Sequence, residues 1–187
     1  MRVLIIASHP DDEILGCGGV IQWHDKQRDN VYIKIFSKGR KDPRDQKLDA
    51  ELLVTLIGEI EVIVKKEKPE LIYTHHKNDS NLDHRLIFEA TKIACRPGKS
   101  SVREIRCFNN NHYPFDEFHP NVFIPLTKEQ MLTKVDNMQN MYPNEIENVP
   151  HPRNPKGIVT VAEFYAMQLA VPGIDYVEAF ESILRIV

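Results

Sequence analysis

The chain has 187 residues, of which 42% are hydrophobic and 27% are charged. This composition is that of a folded globular protein, and it excludes wholesale disorder and a collagen-like fibre. Basic side chains number 24 and acidic ones 27, so the net charge of −3 favours neither a nucleic-acid nor an anionic-membrane partner. We expect a single domain covering residues 1–187.

The apolar run near the start, Val3–Ala7, is too short for a signal peptide or a membrane helix. It ends in a polar segment that contains Asp11, Asp12 and Glu13. The three cysteines are odd in number and form no C-x-x-C pair, so we interpret them as buried thiols. We therefore predict a cytoplasmic protein without a transmembrane segment.

Apolar spacing predicts strands and helices that alternate along the first 110 residues. Thr127 followed by Gln130 is typical of a capping box. The glycines at positions 16, 18 and 19 indicate close backbone packing near the end of the first strand. The expected strands are residues 3–7, 31–37, 71–74, 105–108 and 122–124; the expected helices are 14–27, 48–66, 83–94, 127–141 and 158–169; residues 176–186 are ambiguous. Such alternation predicts a parallel sheet with helices on both faces.

Two polar segments directly follow predicted strands. His9–Glu13 comes after the first strand, and His75–His84 comes after the strand at residues 71–74. Ligands bind at the carboxyl ends of strands in sheets of this kind, so neighbouring strands would bring both segments to one rim. Histidine and aspartate suit zinc and other divalent metals. The sequence therefore predicts a metal site at this rim.

The spacing within the two segments suggests separate roles for their side chains. His9 and Asp12 lie three residues apart across a tight turn, so both can face one point, and a third ligand from the second segment would leave a position open for water. Asp11 could then accept a proton from the attacking water. Asp83, beside His84, could orient that imidazole. Together these groups are suited to hydrolysing an amide or an ester.

Each of these residues also has a plain structural interpretation. Asp11, Asp12 or Asp83 could cap the helix that follows. His75 and His76 could be ordinary surface residues. The concentration of histidine and aspartate after two separate strands favours the metal site over these alternatives.

Four blocks of the sequence resemble the LmbE/PIG-L family of metal-dependent de-N-acetylases. Ser8–Glu13 is similar to the family hallmark A-H-P-D-D-E, and Thr74–Arg85 matches T-H-H-x-x-D-x-N-x-D-H-R. Pro150–Asn154 resembles P-H-P-R-S, and Val177–Phe180 resembles A-E-A-F. The likeness spans essentially the whole chain, and the first two blocks are its most specific part.

The resemblance implies a Rossmann-like three-layer α/β/α fold, with a mostly parallel sheet and a metal site at the carboxyl rim of the strands. It implies His9, Asp12 and His84 as metal ligands, Asp11 as general base and Asp83 as the acid beside the last ligand. Zn²⁺ is the implied cofactor, and Fe²⁺ or Co²⁺ would fit the same ligands. The implied reaction removes an acetyl group from an N-acetylated sugar, often one carried on a nucleotide, lipid or thiol-bearing group.

Substrate contacts are expected from two places in the chain. Asp79 and Asn81 could hydrogen-bond sugar hydroxyls. His151 and Arg153 could bind a phosphate or a ring substituent, since arginine suits bidentate phosphate contacts. The aromatic residues between positions 113 and 118 could either form a platform for a sugar or base, or close the core beneath a long loop; they are Tyr113, Phe115 and Phe118.

Two departures from the family pattern leave the donor to the developing oxyanion open. Asn81 stands where many relatives have histidine, and His75 or His76 could substitute for it. The segment 39–48 is short where relatives usually carry an active-site arginine, although Arg40 and Arg44 lie nearby in the sequence.

Several other functions stay open at this level. One is hydrolysis of a non-sugar N-acyl amide at the same site. Another is a non-haem iron oxygenase, since two histidines and a carboxylate suit that metal. A third is a binding module that keeps the metal without activity. A homo-oligomer is also an open expectation, because relatives often assemble as trimers or hexamers.

Overall fold

The computed structural model describes residues 1–38, 47–50, 52–110, 112–113 and 117–187. The sequence-based interpretations of Arg40, Arg44 and Phe115 lie outside the described residues. None of the helices in the described part of the chain is long and apolar enough to span a membrane.

The structure contains six strands and five α-helices within the described ranges. The strands are β1 (Arg2–Ala7), β2 (Asn30–Ile35), β3 (Leu71–His75), β4 (Glu104–Phe108), β5 (Val122–Leu126) and β6 (Tyr176–Arg185). The α-helices are α1 (Asp12–Lys26), α2 (Leu53–Glu67), α3 (Leu82–Ala94), α4 (Lys128–Met141) and α5 (Pro155–Leu169). Short 3-10 helices cover Leu48–Ala50 and Pro143–Glu145.

The strands form one sheet in the order β2-β1-β3-β4-β6-β5. The first four strands in this order pair in parallel, whereas β6 is antiparallel to both β4 and β5. The expectation of a mostly parallel sheet is confirmed, with an antiparallel edge added by the last strand.

Helices cover both faces of the sheet, and β1 is therefore buried on both sides. Leu4 and Ile6 belong to a core cluster that includes side chains of α2 and α3. Val3 and Ile5 point to the other face and pack with α1. Helices α4 and α5 extend the layer on the α1 side. This arrangement confirms the expected three-layer fold.

Several element boundaries differ from the expectations, among them the following three. Helix α1 begins at Asp12, two residues earlier than predicted. The predicted helix 48–66 is instead a 3-10 turn followed by α2, and the buried Leu48 of that turn donates its backbone N–H to Asp83. The ambiguous segment 176–186 is β6, which pairs with a strand on each side.

Smaller features agree with the sequence analysis. A Cβ at Gly16 would lie 2.5 Å from the Phe108 ring, and one at Gly19 would lie 2.3 Å from Leu126, so the glycines do allow close packing. Thr127 and Gln130 form the expected capping box at the start of α4. All three cysteines are buried and free.

Candidate active site at the carboxyl rim of the sheet

The site lies where the strand order reverses. Strands β1 and β3 are parallel neighbours, and the chain leaves β1 toward β2 on the opposite side. The carboxyl ends of such strands open a crevice at this point. The segments that follow β1 and β3 therefore meet, as expected from the sequence.

His9, Asp12 and His84 bring three ligand atoms together. The Asp12 Oδ2 lies 3.4 Å from His9 Nδ1 and 3.3 Å from His84 Nε2. Zinc bonds of about 2.0–2.2 Å in a tetrahedral site place ligand atoms about 3.3 Å apart. The geometry of these two pairs therefore fits a small divalent metal ion.

Two further carboxylates hold the imidazoles of this group from behind. Asp83 Oδ2 lies 3.0 Å from His9 Nε2, and Asp79 Oδ2 lies 2.9 Å from His84 Nδ1. A carboxylate on the second nitrogen of a ligating histidine fixes its tautomer and raises its basicity. The expectation that Asp83 orients His84 is thus wrong, because Asp79 holds His84 and Asp83 holds His9.

The start of helix α3 explains this exchange of partners. Asn81 is the N-cap, and its side-chain oxygen accepts the backbone N–H of Asp83 at 2.9 Å. The alternative that Asp83 caps the helix is therefore wrong. Asp79 is completely buried behind His84, so its position differs from the expected contact with sugar hydroxyls.

Asp11 is the carboxylate of the site that stands apart from these pairs. It is 1% exposed, and its backbone has a φ of 111°, which is rare for a residue other than glycine. Burial and the neighbouring Asp12 raise the pKa of Asp11 to about 8, and Arg153 opposes this rise. The Oδ2 atom has no hydrogen bond within the described residues.

Charge is concentrated on Asp12. Burial opposes ionisation there, but His84 and His75 hold the pKa of Asp12 well below its usual range. Burial likewise opposes protonation of His84, yet Asp12 and Asp79 raise the pKa of that imidazole to about 10. Without a metal ion, the Asp12 carboxylate is therefore an anion paired with the His84 imidazolium, and a bound cation would take the place of the proton on His84.

His75 is completely buried in this cluster and not a surface residue. Its ring stacks on that of His84 with 3.8 Å between centroids, and its Nε2 accepts the backbone N–H of Ser8 at 2.9 Å. Burial and the charge of His84 lower its pKa to about 4. His76 is also buried, and its Nε2 lies 2.9 Å from Glu181. His75 and His76 were the candidates to replace the histidine that relatives have at position 81. In both, the Nε2 atom is already engaged in another contact.

Asn110 is a site residue that the sequence analysis did not identify. Its side-chain amide donates to Asp12 Oδ1 at 2.9 Å and fixes the second oxygen of that carboxylate. Asn110 is the second residue after β4, the next parallel strand along the rim. The rule that singled out the segments after β1 and β3 would also have pointed to it.

The segment between α4 and α5 reaches the same site. Arg153 Nη1 lies 3.4 Å from Asp11 Oδ2. The Tyr142 hydroxyl donates to Glu13 at 2.6 Å, and Glu13 in turn accepts the backbone N–H of Asp11 at 3.2 Å. His151 accepts the backbone N–H of Arg153 and lies with the prolines around it in a cavity of about 500 Å³. Arg153 is therefore brought to Asp11, whereas His151 lines the loop beside it.

Among the described residues, a second group of three could hold a metal ion: His75, Asp79 and His84. It shares His84 with the first group. The two groups use different nitrogens of that ring, because Asp79 lies on Nδ1 and Asp12 lies on Nε2. With Asp79 orienting His84, the first group is the better candidate.

Comparisons with known proteins agree with this geometry. Residues 4–59 match the family model of PIG-L, described as GlcNAc-PI de-N-acetylase. No curated protein sequence matches the chain.

Solved structures with this fold include an N,N'-diacetylchitobiose deacetylase from Pyrococcus horikoshii, with 18% identity and a TM-score of 0.69 over 98% of this chain and 84% of that one. The zinc-inhibited form of the teicoplanin deacetylase Orf2 has 14% identity and a TM-score of 0.72 over 97% of each chain. GalB, a 4-carboxy-2-hydroxymuconate hydratase from Pseudomonas putida KT2440, has 18% identity and a TM-score of 0.74 over 100% of this chain and 97% of that one.

The structural likenesses establish a shared fold, and the family match covers the segment that carries His9, Asp11 and Asp12. The resemblance seen in the motifs is thereby confirmed: residues 4–59 match the PIG-L family model, and the chain has the fold of the two solved deacetylases.

Proposed function

We propose that this protein is a metal-dependent amide hydrolase that removes the acetyl group from an N-acetylated sugar, with zinc as its resident ion. The observation that carries the proposal is the position of Asp11. It is a buried carboxylate without a hydrogen bond at Oδ2 within the described residues, directly beside the three candidate ligands. A site that only stores a metal has no use for such a group.

His9, Asp12 and His84 would hold the ion. Their two-histidine, one-carboxylate set leaves positions free for water and substrate. When bound, a zinc ion supplies Lewis-acid polarisation of the amide carbonyl and lowers the pKa of water. Asp83 and Asp79 keep the two imidazoles in place through their outer nitrogens, so the ligand set is organised before the ion arrives.

Asp11 is the proposed general base. It accepts the proton of the attacking water and can return it to the departing amine. Burial raises the pKa of this carboxylate, so Asp11 is a stronger base than an exposed aspartate. The strained backbone at φ 111° is consistent with a side chain held in place for function.

Arg153 is the proposed donor to the developing oxyanion. Relatives often have a histidine where this chain has Asn81, and Asn81 caps α3. The Arg153 guanidinium lies 3.4 Å from the proposed base and is partly exposed, so it can face a bound substrate. A preorganised cation at this point stabilises negative charge that forms in the transition state. His151, on the same loop, is a proposed contact for a ring substituent.

The match to a GlcNAc-PI de-N-acetylase family and the two deacetylases of the same fold support an N-acetylated sugar as substrate. The hydratase of the same fold shows that this architecture also serves water addition. Only the deacetylase reaction releases acetate. A cytoplasmic location and a homo-oligomer remain predictions from the sequence.

The proposal is tested by measuring acetate release from a panel of N-acetylated sugars and non-sugar N-acyl amides, with protein loaded with one zinc per chain. We expect the sugars to be hydrolysed, and Asp11→Asn to lower kcat by at least about 100-fold while it retains the metal. His84→Ala serves as the matched variant that loses zinc.

Wild-type turnover in Asp11→Asn would remove Asp11 from the mechanism. Faster hydrolysis of the non-sugar amides would contradict the sugar substrate, and the protein would then be a hydrolase of non-sugar N-acyl amides. Zinc binding without acetate release from any compound would contradict hydrolysis and favour the hydratase reaction or a binding module.

A further inference from the structure

Glu13 is a buried carboxylate beside the site that the proposed reaction does not use. It is 3% exposed and lies in the first turn of α1, next to the candidate ligand Asp12. A carboxylate in the first turn can stabilise a helix through its dipole alone. Burying a charged group is costly unless specific partners hold it, so the partners of Glu13 indicate what this side chain does.

Each carboxylate oxygen of Glu13 has its own partner. Oε2 accepts the backbone N–H of Asp11 at 3.2 Å, and Oε1 accepts the Tyr142 hydroxyl at 2.6 Å. The Asp11 N–H lies outside the hydrogen-bond ladder of α1, because Asp11 is the N-cap and precedes the helix. Glu13 therefore joins the backbone of the proposed general base to a side chain at the end of α4.

The backbone of Asp11 needs such support. Its φ of 111° lies in a region that residues other than glycine rarely adopt, and a strained conformation persists only where the surroundings fix it. The Asp11 carbonyl is fixed by the helix, because it accepts the N–H groups of Ile14 and Leu15 at 3.1 and 2.9 Å. Glu13 fixes the Asp11 N–H on the other side. With both peptide groups held, the direction of the Asp11 side chain is determined.

Tyr142 is itself held in place at the end of α4. It is the C-cap of that helix, and its backbone N–H donates to the Met138 carbonyl at 3.0 Å. Its ring packs against a buried apolar cluster that includes Ile14. The same segment continues to Arg153, whose Nη1 lies 3.4 Å from Asp11 Oδ2. One segment of the chain therefore acts on both the backbone and the carboxylate of the proposed base.

We propose that Glu13 and Tyr142 are positioning residues, which hold the strained backbone of Asp11 so that its carboxylate faces the attacking water. The inference rests on the proposed function and deepens it, since both side chains act without touching the substrate. The effect of either residue on turnover must then pass through Asp11. A residue that only stabilises the fold would not show this dependence.

Tyr142→Phe removes only the hydroxyl that holds Glu13. With the zinc-loaded full chain and N-acetylglucosamine as the probe, we expect kcat for acetate release to fall about tenfold, the size of one hydrogen bond to a charged group. KM and zinc content should stay unchanged. Tyr32→Phe is the matched control, because the Tyr32 hydroxyl of β2 donates to Glu67, which ends α2 just before the amino end of β3. We expect no change from it.

The same substitution in an Asp11→Asn background shows whether Tyr142 acts through Asp11. If it does, adding Tyr142→Phe there should lower kcat no further. Glu13→Gln is the conservative variant, since its amide can still accept the Asp11 N–H and donate to the tyrosine oxygen. We expect Glu13→Gln to keep kcat within about threefold of the wild type, and Glu13→Ala to lose at least as much as Tyr142→Phe.

No fall in Tyr142→Phe, an equal fall in Tyr32→Phe, or a fall that recurs in the Asp11→Asn background would overturn the proposal. If the wild type releases no acetate from any N-acetylated sugar, the proposed function fails, but amide hydrogen exchange followed by NMR still tests the positioning. The Asp11 amide should then exchange about tenfold faster in Tyr142→Phe than in the wild type, and at the wild-type rate in Tyr32→Phe. Equal exchange rates in all three proteins would overturn it.

Discussion

Four aspartates surround the candidate metal centre, and their neighbours give them different chemical roles. Asp12 lies between imidazoles and is held as an anion. Asp83 and Asp79 lie behind His9 and His84 and meet their outer nitrogens. Asp11 is buried beside them with a raised pKa. At the residue scale, identical side chains are therefore differentiated by burial and by their partners.

Asp79→Asn tests the orienting role of a residue that the sequence analysis placed in the substrate site. An amide cannot supply the negative charge that favours the correct tautomer of His84, so we expect the dissociation constant for zinc to rise about 10- to 100-fold. Competition with a chromophoric chelator measures this change.

Asp136→Asn is the matched control, since Asp136 lies exposed on α4, away from the site. We expect it to bind zinc as the wild type does. An Asp79→Asn variant with unchanged zinc affinity would show that Asp79 does not orient His84.

The site was predictable wherever its residues follow a strand. His9, Asp11 and Asp12 all lie within five residues of the end of β1, so their positions relative to one another follow from their spacing in the sequence. The partners of the two histidines were not predictable from adjacency. Asp83 precedes His84, but successive residues of a helix do not face each other, and Asp83 therefore meets His9 across the rim. Arg153 and Asn110 come from distant parts of the chain, and only the fold brings them to the site.

At the scale of elements, helix α1 depends on close packing along its glycines. The space that a Cβ would need at Gly16, Gly18 and Gly19 is filled by side chains of β4, α4 and β5 respectively. The helix that carries Asp12 is thereby set close to the rest of the structure. A larger residue on this face would move the helix away and displace the ligand.

Gly19→Ala tests this packing. The added methyl would lie 2.3 Å from a buried Leu126 atom, so we expect a loss of about 1–3 kcal/mol in the free energy of unfolding. Gly58→Ala in α2 is the matched change, because nothing lies within 4 Å of its Cβ position. Alanine should stabilise that helix by up to about 1 kcal/mol. Urea denaturation measures both, and equal stabilities of the two variants would contradict the packing argument.

The order of the elements was largely predictable, and their limits were less so. Helix α4 was predictable because its sequence contains a recognisable helix start, the capping box at Thr127. The helix predicted from residue 48 does not start there, because Leu48 is fixed by burial and by its hydrogen bond to Asp83. Segment 176–186 had no decisive pattern, and it becomes a strand because β4 and β5 both pair with it.

At the scale of the whole molecule, a buried ion pair joins the carboxyl-terminal strand to the helix that carries the site. Glu178 of β6 accepts the backbone N–H groups of Gly19 and Val20 in α1 at 2.8 and 2.7 Å. Lys134 of α4 donates to Glu178 and to the carbonyl of Leu15, both at 2.7 Å. The glutamate of the fourth sequence block therefore serves the fold and not the chemistry.

Zinc should stabilise the entire fold, because its candidate ligands come from two distant segments of the chain. His9 and Asp12 follow β1, whereas His84 lies on α3. A ligand that binds only the folded state at about 1,000 times its dissociation constant adds about 4 kcal/mol. For a chain of this size, that corresponds to a rise in melting temperature of about 8–16 °C.

Differential scanning calorimetry with and without zinc measures this rise in the wild type, in His84→Ala and in His119→Ala. His84→Ala removes one of the three candidate ligands, so its zinc-dependent rise should disappear. His119 is exposed and belongs to neither candidate metal group, so His119→Ala should respond to zinc as the wild type does. A full rise in His84→Ala would show that zinc binds outside the rim. A rise lost only in that variant would tie the stability of both segments to one metal site.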